Sequence, residues 1–173
     1  MASVYLLTGS PGTGKTTAIR QAITKSKAKA GGFYTEEIRS GGIRQGFRII
    51  TLDGQDAILA HIDNPSHYRV SKYGVDIANL DAIGVAAINR ALKESDLIVI
   101  DEIGKMELFS HLFREAVLRA IDSGKRVLGT IMLNPHPFAD DIKRRHEVKV
   151  VELTRANHDQ VLREIMDWLK GDR

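Results

Sequence analysis

The 173-residue sequence predicts an α/β fold: an open, mainly parallel sheet flanked by helices, with an antiparallel hairpin segment inserted. Three observations carry that prediction. Short apolar runs alternate with amphipathic helical patterns along most of the chain. A glycine-rich turn joins the first of these strands to the first helix. Three strand-like segments then follow one another with no helix between them, so they should pair antiparallel and attach to the parallel core.

Taken in order, Val4 to Thr8 reads as a buried strand. Thr16 to Ala30 reads as a helix with Ile19, Ala22 and Ile23 on one face, stopped by Gly31-Gly32. Phe33 to Arg39, a Gly41-Gly42 turn and Arg44 to Thr51 form a hairpin. Asp53-Gly54 turns the chain into a third strand, Ala57 to Ile62. Asp63 to Tyr73 has Pro65 and little periodicity and reads as a long loop. A helical pattern spans Ala82 to Lys93. Leu97-Ile98-Val99-Ile100 is apolar on both faces, as a central parallel strand must be, and it ends in Asp101-Glu102. Ser110 to Ser123 is a helix with Leu112, Phe113, Ala116, Val117, Ala120 and Ile121 on one side. Val127 to Ile131 is a strand, Pro137 to Arg145 a short helix and Val148 to Leu153 the last strand. The closing helix starts near Asn157, with Gln160 three residues on in a capping-box arrangement. It should bury Val161, Leu162, Ile165, Trp168 and Leu169. Without repeats or internal linkers, one domain is expected over 1–173.

The turn after the first strand carries the chemistry. Gly9-Ser10-Pro11-Gly12-Thr13-Gly14-Lys15-Thr16 matches G-x-x-x-x-G-K-[ST], the phosphate-binding loop of P-loop nucleoside triphosphatases. Its glycines let successive backbone N–H groups face phosphate oxygens, and the helix N-terminus behind them favours the anion. Lys15 would reach the β- and γ-phosphates, and the Thr16 hydroxyl would coordinate Mg²⁺. Asp101 ends a central strand at the edge where ligands bind such sheets. It is placed to hold Mg²⁺ opposite Thr16, with Glu102 placed to deprotonate an attacking water. Weaker candidates remain. Arg144 or Arg145 could serve as an arginine finger or be surface charge. Thr130 could sense the γ-phosphate or be a buried threonine bonded to backbone. Phe33, Tyr34, Tyr68 and Tyr73 could stack on a base or belong to the core.

Composition narrows the field. The chain has no cysteine, which excludes disulfides, thiol nucleophiles and thiolate zinc sites, and suits a cytoplasmic location. No apolar run approaches the ~18 residues of a membrane span, and the N-terminus lacks the basic region of a secretory signal. The net charge of +3 is mild. Its clusters, Lys143-Arg144-Arg145 and Lys25, Lys27 and Lys29, lack interleaved aromatics, so nucleic acid is not an expected partner. The second cluster reads as a solvated helix face.

The longer strings GSPGTGKTT from Gly9 to Thr17, GFYTEEIR followed by GFRIITLDG, KYGVD at Lys72 to Asp76, DEIGKMEL at Asp101 to Leu108, and HPFADDIKRR together resemble the thermophile-type and cancer-related nucleoside-triphosphatase family. The likeness runs in order through nearly the whole chain. It departs at Ser71, where a glycine is expected before Lys72, and over Met132-Leu133-Asn134. The resemblance implies a monomeric P-loop domain with a RecA-like or nucleotide-kinase-like sheet. It implies slow, Mg²⁺-dependent hydrolysis of the terminal phosphate of ATP, GTP, CTP, UTP and TTP. Nucleotide contacts then map onto Gly9, Ser10, Pro11, Gly12, Thr13, Gly14, Lys15, Thr16 and the adjoining Thr17, and onto Ile98, Val99, Ile100, Asp101, Glu102, Ile103, Gly104 and Lys105. Broad base tolerance has a physical reason, since the backbone nest reads phosphates that all nucleoside triphosphates share. The alternative is a kinase that passes the γ-phosphate to an acceptor hydroxyl, with the Asp63 to Tyr73 loop holding the acceptor. A second alternative is an ATPase switch acting on nucleic acid or a partner protein.

Overall fold

A computed structural model describes residues 2–171. Nine strands form a single sheet in the order β5-β6-β4-β3-β2-β7-β8-β1-β9. In chain order these are β1 (Val4–Thr8), β2 (Ala30–Ser40), β3 (Ile43–Thr51), β4 (Asp56–His61), β5 (Arg69–Val70), β6 (Tyr73–Val75), β7 (Leu97–Ile103), β8 (Arg126–Ile131) and β9 (Val148–Glu152). β2, β7, β8, β1 and β9 run parallel, and β3, β4, β6 and β5 extend the sheet antiparallel from β2. The expected parallel core with its antiparallel insertion is therefore present.

The helices cover both faces. α1 (Lys15–Lys25) and α6 (His158–Lys170) pack Ile19, Val161 and Ile165 against Tyr5, Leu7 and Val99. On the other face, α2 (Ile77–Asn79) runs through a π-helical stretch, Leu80–Val85, into α3 (Ala86–Glu94). There α4 (His111–Asp122) and α5 (Pro137–Lys143) complete a core around Phe33, Ile98, Ile100 and Phe113. No helix among the described residues is long and apolar enough to cross a membrane.

Several boundaries differ from expectation, each for a tertiary reason. α1 ends at Lys25, because Ser26 is extended, so Lys27 and Lys29 lie beyond the helix instead of on its face. Gly31 and Gly32 do not stop a helix; they lie inside β2, paired with Ile98 and Val99 of β7. A Cβ on Gly32 would stand 2.1 Å from the Val99 carbonyl oxygen, and its φ of +109° is one that side chains avoid. Glycine is there for close packing between strands.

The Asp63 to Tyr73 segment is not all loop, since its end pairs as the small β5–β6 hairpin. At the tip of that hairpin Ser71 has a φ of +54°, the left-handed region glycine prefers, which accounts for a glycine being expected there. β7 runs on through Ile103, and Met132 N donates to the Ile103 carbonyl at 3.0 Å. Leu112 is turned outward from α4 and half exposed. The capping box at α6 does not form. Asn157 turns its side-chain oxygen back to accept from Thr154 N at 2.7 Å, and Gln160 donates to Glu164 instead.

Candidate functional site

The phosphate loop connects β1 to α1 at the C-terminal edge of the parallel strands. It curls tightly at its two ends. A Cβ on Gly9 would stand 2.7 Å from the Leu153 carbonyl oxygen at the end of β9, and its φ is +145°. Gly14, with φ +88°, caps α1 without any side-chain bond to the first-turn N–H groups. Those N–H groups, unsatisfied at any helix start, are what a phosphate would accept from. Lys15 folds over the loop, where Nζ donates to the Gly9 carbonyl at 2.8 Å and the Ser10 carbonyl at 3.0 Å. Thr13 Oγ1 donates to the Ser10 carbonyl at 3.0 Å and closes the turn. Ser10, Pro11, Gly12 and Thr17 are exposed along the rim.

Two strands away, Asp101 is buried at the end of β7. Thr130 Oγ1 of β8 donates to Asp101 Oδ1 at 2.7 Å. Thr130 is thus bonded to the carboxylate, not to backbone, and orients it. Asp101 Oδ2 has no hydrogen-bond partner among the described residues, and neither does Thr8 Oγ1 at the end of β1. Burial pushes the Asp101 carboxyl upward, while Thr130, the Thr16 hydroxyl and Lys15 oppose the shift. A buried carboxylate oxygen without a partner, next to a threonine hydroxyl and the phosphate loop, suits a hard divalent cation that would also bind phosphate oxygens. No group of three or more histidine or acidic side chains among the described residues is arranged to hold a metal by itself. Mg²⁺ would therefore rest on Thr16, Asp101 and the nucleotide.

Glu102 is half-buried beside Asp101, across a cis peptide bond. Burial first, then the Asp101 charge, raise its carboxyl to about 7, with Lys15 pulling the other way. A carboxyl near neutrality is suited to accept a proton from water. Ile98, Val99 and Ile100 are fully buried strand residues that brace this edge, and Ile103 and Gly104 are buried behind it. Lys105 is exposed.

Three assignments resolve differently. Arg145 pairs with Asp122 and Glu147, and Glu147 also accepts from Val4 N where β1 begins. That is the edge opposite the phosphate loop, so Arg145 cannot reach a nucleotide there; Arg144 pairs with Asp141 nearby. Phe33 and Tyr73 are core residues, the first packed edge-on to Phe113 and the second to Phe47. Tyr34 lies under the Arg20 guanidinium, and Tyr68 is half exposed against Phe109.

Two residues join the site that the sequence did not announce. Glu107 is buried on the 3-10 turn after β7, and its carboxylate and that of Glu102 both crowd the Cα of Gly104. A Cβ at Gly104 would stand 2.9 Å from Glu102 Oε1 and 3.0 Å from Glu107 Oε1. His158, opening α6, lies against Gly14 on the other flank of the loop. A wide groove of about 840 Å³ at the opposite edge, lined by Lys25, Lys27 and Lys125 among others, contains none of these residues.

The NTPase family model matches residues 4–166. The chain is 51% identical to "Nucleoside-triphosphatase THEP1" of Thermotoga maritima over 168 residues, which cover 97% of this chain and 96% of that protein. It is 36% identical to the human "Cancer-related nucleoside-triphosphatase" over the full length of both. Among solved structures, THEP1 from the hyperthermophile Aquifex aeolicus superposes with a TM-score of 0.89 at 36% identity, covering 97% of this chain and 99% of that one. A human cancer-related nucleoside triphosphatase superposes at 0.82 over both chains entirely.

Proposed function

The chain belongs to the NTPase family, and on that premise we propose that it removes the terminal phosphate of ATP, GTP, CTP, UTP and TTP, slowly and with Mg²⁺, as a single-domain cytoplasmic monomer. The observation that carries this reading is the pairing of an uncapped, glycine-lined helix start with a buried carboxylate whose second oxygen has no hydrogen-bond partner among the described residues. Both are polar groups of the kind a metal-bound triphosphate satisfies.

In this reading the backbone of Gly9 to Thr16 takes the phosphates. Lys15 gives up the Gly9 and Ser10 carbonyls for the β- and γ-phosphate oxygens. Thr16 and Asp101 hold Mg²⁺, which when bound neutralises phosphate charge. Thr130 keeps Asp101 turned toward that position. Glu102 accepts the proton of the attacking water, and its carboxyl near 7 matches that task at neutral pH. Slow turnover fits a site that neither Arg144 nor Arg145 reaches, both being committed at the opposite edge. Broad base tolerance follows from a nest that contacts only phosphates.

The test follows γ-labelled ATP with purified protein and Mg²⁺, beside Lys15→Ala. Label should leave as inorganic phosphate at similar rates for all the nucleotides, and Lys15→Ala should lose about 10²-fold or more in kcat/KM. Unchanged turnover in Lys15→Ala would remove the phosphate loop from the reaction. Label arriving on an organic acceptor would make the enzyme a kinase.

A further inference from the structure

A second pocket opens on the same edge of the sheet, on the far side of the β7 carboxylates from the phosphate loop. Across the edge the order is β1 with its loop, β8 with Thr130, β7 with Asp101 and Glu102, and then β2. Beyond β2 lies a cavity of about 420 Å³ walled by Arg39 of β2, Arg44 and Phe47 of β3, Lys72 and Tyr73 of the β5–β6 hairpin, and Met106. Met106 directly precedes Glu107, whose carboxylate shares the Gly104 position with that of Glu102. The pocket and the carboxylates are therefore neighbours.

Its chemistry is specific. Two of its three cations, Arg39 and Arg44, share one carboxylate, Glu37, which fixes them without cancelling them. Arg39 Nη2 and Arg44 Nη1 both bond Glu37, at 3.1 and 3.2 Å. Arg44 Nε donates to Tyr73 Oη at 2.9 Å, and its guanidinium lies 5.0 Å from the Phe47 ring centre and 5.5 Å from that of Tyr73. The two arginines flank Glu37 so closely that its carboxyl is held below the usual range despite some burial. Lys72 has no carboxylate partner among the described residues and rests its ammonium 5.7 Å from the Tyr73 ring centre. Arg39 also donates Nη1 to the Gly42 carbonyl at 2.8 Å, so it offers charge at a fixed point, while Arg44 keeps Nη2 for a phosphate and its guanidinium, already laid on rings, offers a flat surface for a base. Phe47 and Met106 supply apolar wall, and the volume falls in the small-ligand range.

We propose that this pocket binds a second small ligand, a phosphomonoester with a planar apolar body of the nucleoside monophosphate class, at the same time as the phosphate loop holds a triphosphate. The inference rests on the phosphate-loop reading only for the word "second"; the pocket's own chemistry stands apart from it. The cluster of cations lies on β2 and beyond, with β7 and β8 between it and β1, the strand that leads into the phosphate loop.

Calorimetry tests it on the whole chain. The protein is first saturated with a non-hydrolysable ATP analogue and Mg²⁺, then titrated with AMP, GMP, CMP or UMP, with adenosine and inorganic phosphate as controls. At least one monophosphate should bind the loaded protein, more tightly than either control. Lys72→Glu and Arg39→Ala, both at exposed positions, should each weaken it about tenfold or more while analogue binding stays constant. No heat from any monophosphate, or binding indifferent to both substitutions, overturns the proposal. Failure of the analogue itself to bind would sink the phosphate-loop reading instead, and titrating the same monophosphates without it would still decide the pocket.

Discussion

In the proposed reaction Asp101 and Glu102, adjacent in sequence, take different tasks because their surroundings differ. Asp101 is buried and bonded to Thr130, whereas Glu102 is only half-buried. Replacing Glu102 by Gln keeps the shape and removes the proton acceptor. The variant should lose about 10²–10⁴-fold in kcat with little change in KM for ATP. A normal kcat would move the base elsewhere. Glu107 makes a different demand. Burial first, and then the Glu102 charge, hold its carboxyl well above the ordinary 4.5, so the folded chain keeps a proton that the unfolded chain releases. Stability should therefore fall as pH rises above about 4.5, and Glu107→Gln should remove that loss. Thermal melts should show the variant gaining in Tm at pH 8 and gaining little at pH 4.5; an equal gain at both would mean Glu107 acts through packing alone. Asp101 and Glu102 were legible because an apolar run pointed at them. Glu107 was not, because a lone acid in a short polar stretch reads as solvated until β7 and the 3-10 turn enclose it.

At the scale of elements, the sequence was read well wherever periodicity decided and less well wherever neighbours did. The run Leu97 to Ile100 could only be a strand buried on both faces. Gly31-Gly32 looked like helix punctuation, since nothing local reveals that Ala91 and the Val99 backbone press on those two positions. Gly32→Ala is the sharp test. The methyl would meet the Val99 carbonyl, and the backbone there is left-handed, so the substitution should cost about 2–5 kcal/mol in denaturant unfolding. A cost below about 1 kcal/mol would mean that β2 and β7 do not approach so closely. The β5–β6 hairpin escaped notice for a related reason. Its strands are two and three residues long, too short for any alternation to register, and they exist because β4 offers β6 an edge.

The whole molecule divides its charge by edge. The proposed phosphate-binding groups gather at the C-terminal ends of the parallel strands, and the basic run at Lys143 to Arg145 belongs to the other end. A linear reading could place those arginines near a nucleotide, because sequence distance does not say on which edge a helix returns. Arg145→Ala should accordingly leave ATP hydrolysis at its normal rate while lowering stability by up to about 1 kcal/mol, through its pairs with Asp122 and Glu147. A marked fall in kcat would return that arginine to the reaction. The family strings found in the sequence proved a good guide to the global path of the chain, since the same order of motifs threads a sheet superposing closely on the Aquifex and human proteins.

The first strand has only late neighbours. β1 lies between β8 and β9, which are residues 126–131 and 148–152, and the Leu153 carbonyl closes against Gly9. The early glycine turn is therefore framed only by strands that come much later in this sequence. In a chain that stops before residue 126 the glycine turn has no strand on either side to hold its shape, and in one that stops before residue 148 it has only one. A fragment ending before residue 126 would carry the full phosphate-binding signature without either flanking strand, and should bind no ATP analogue in calorimetry where the 173-residue chain does.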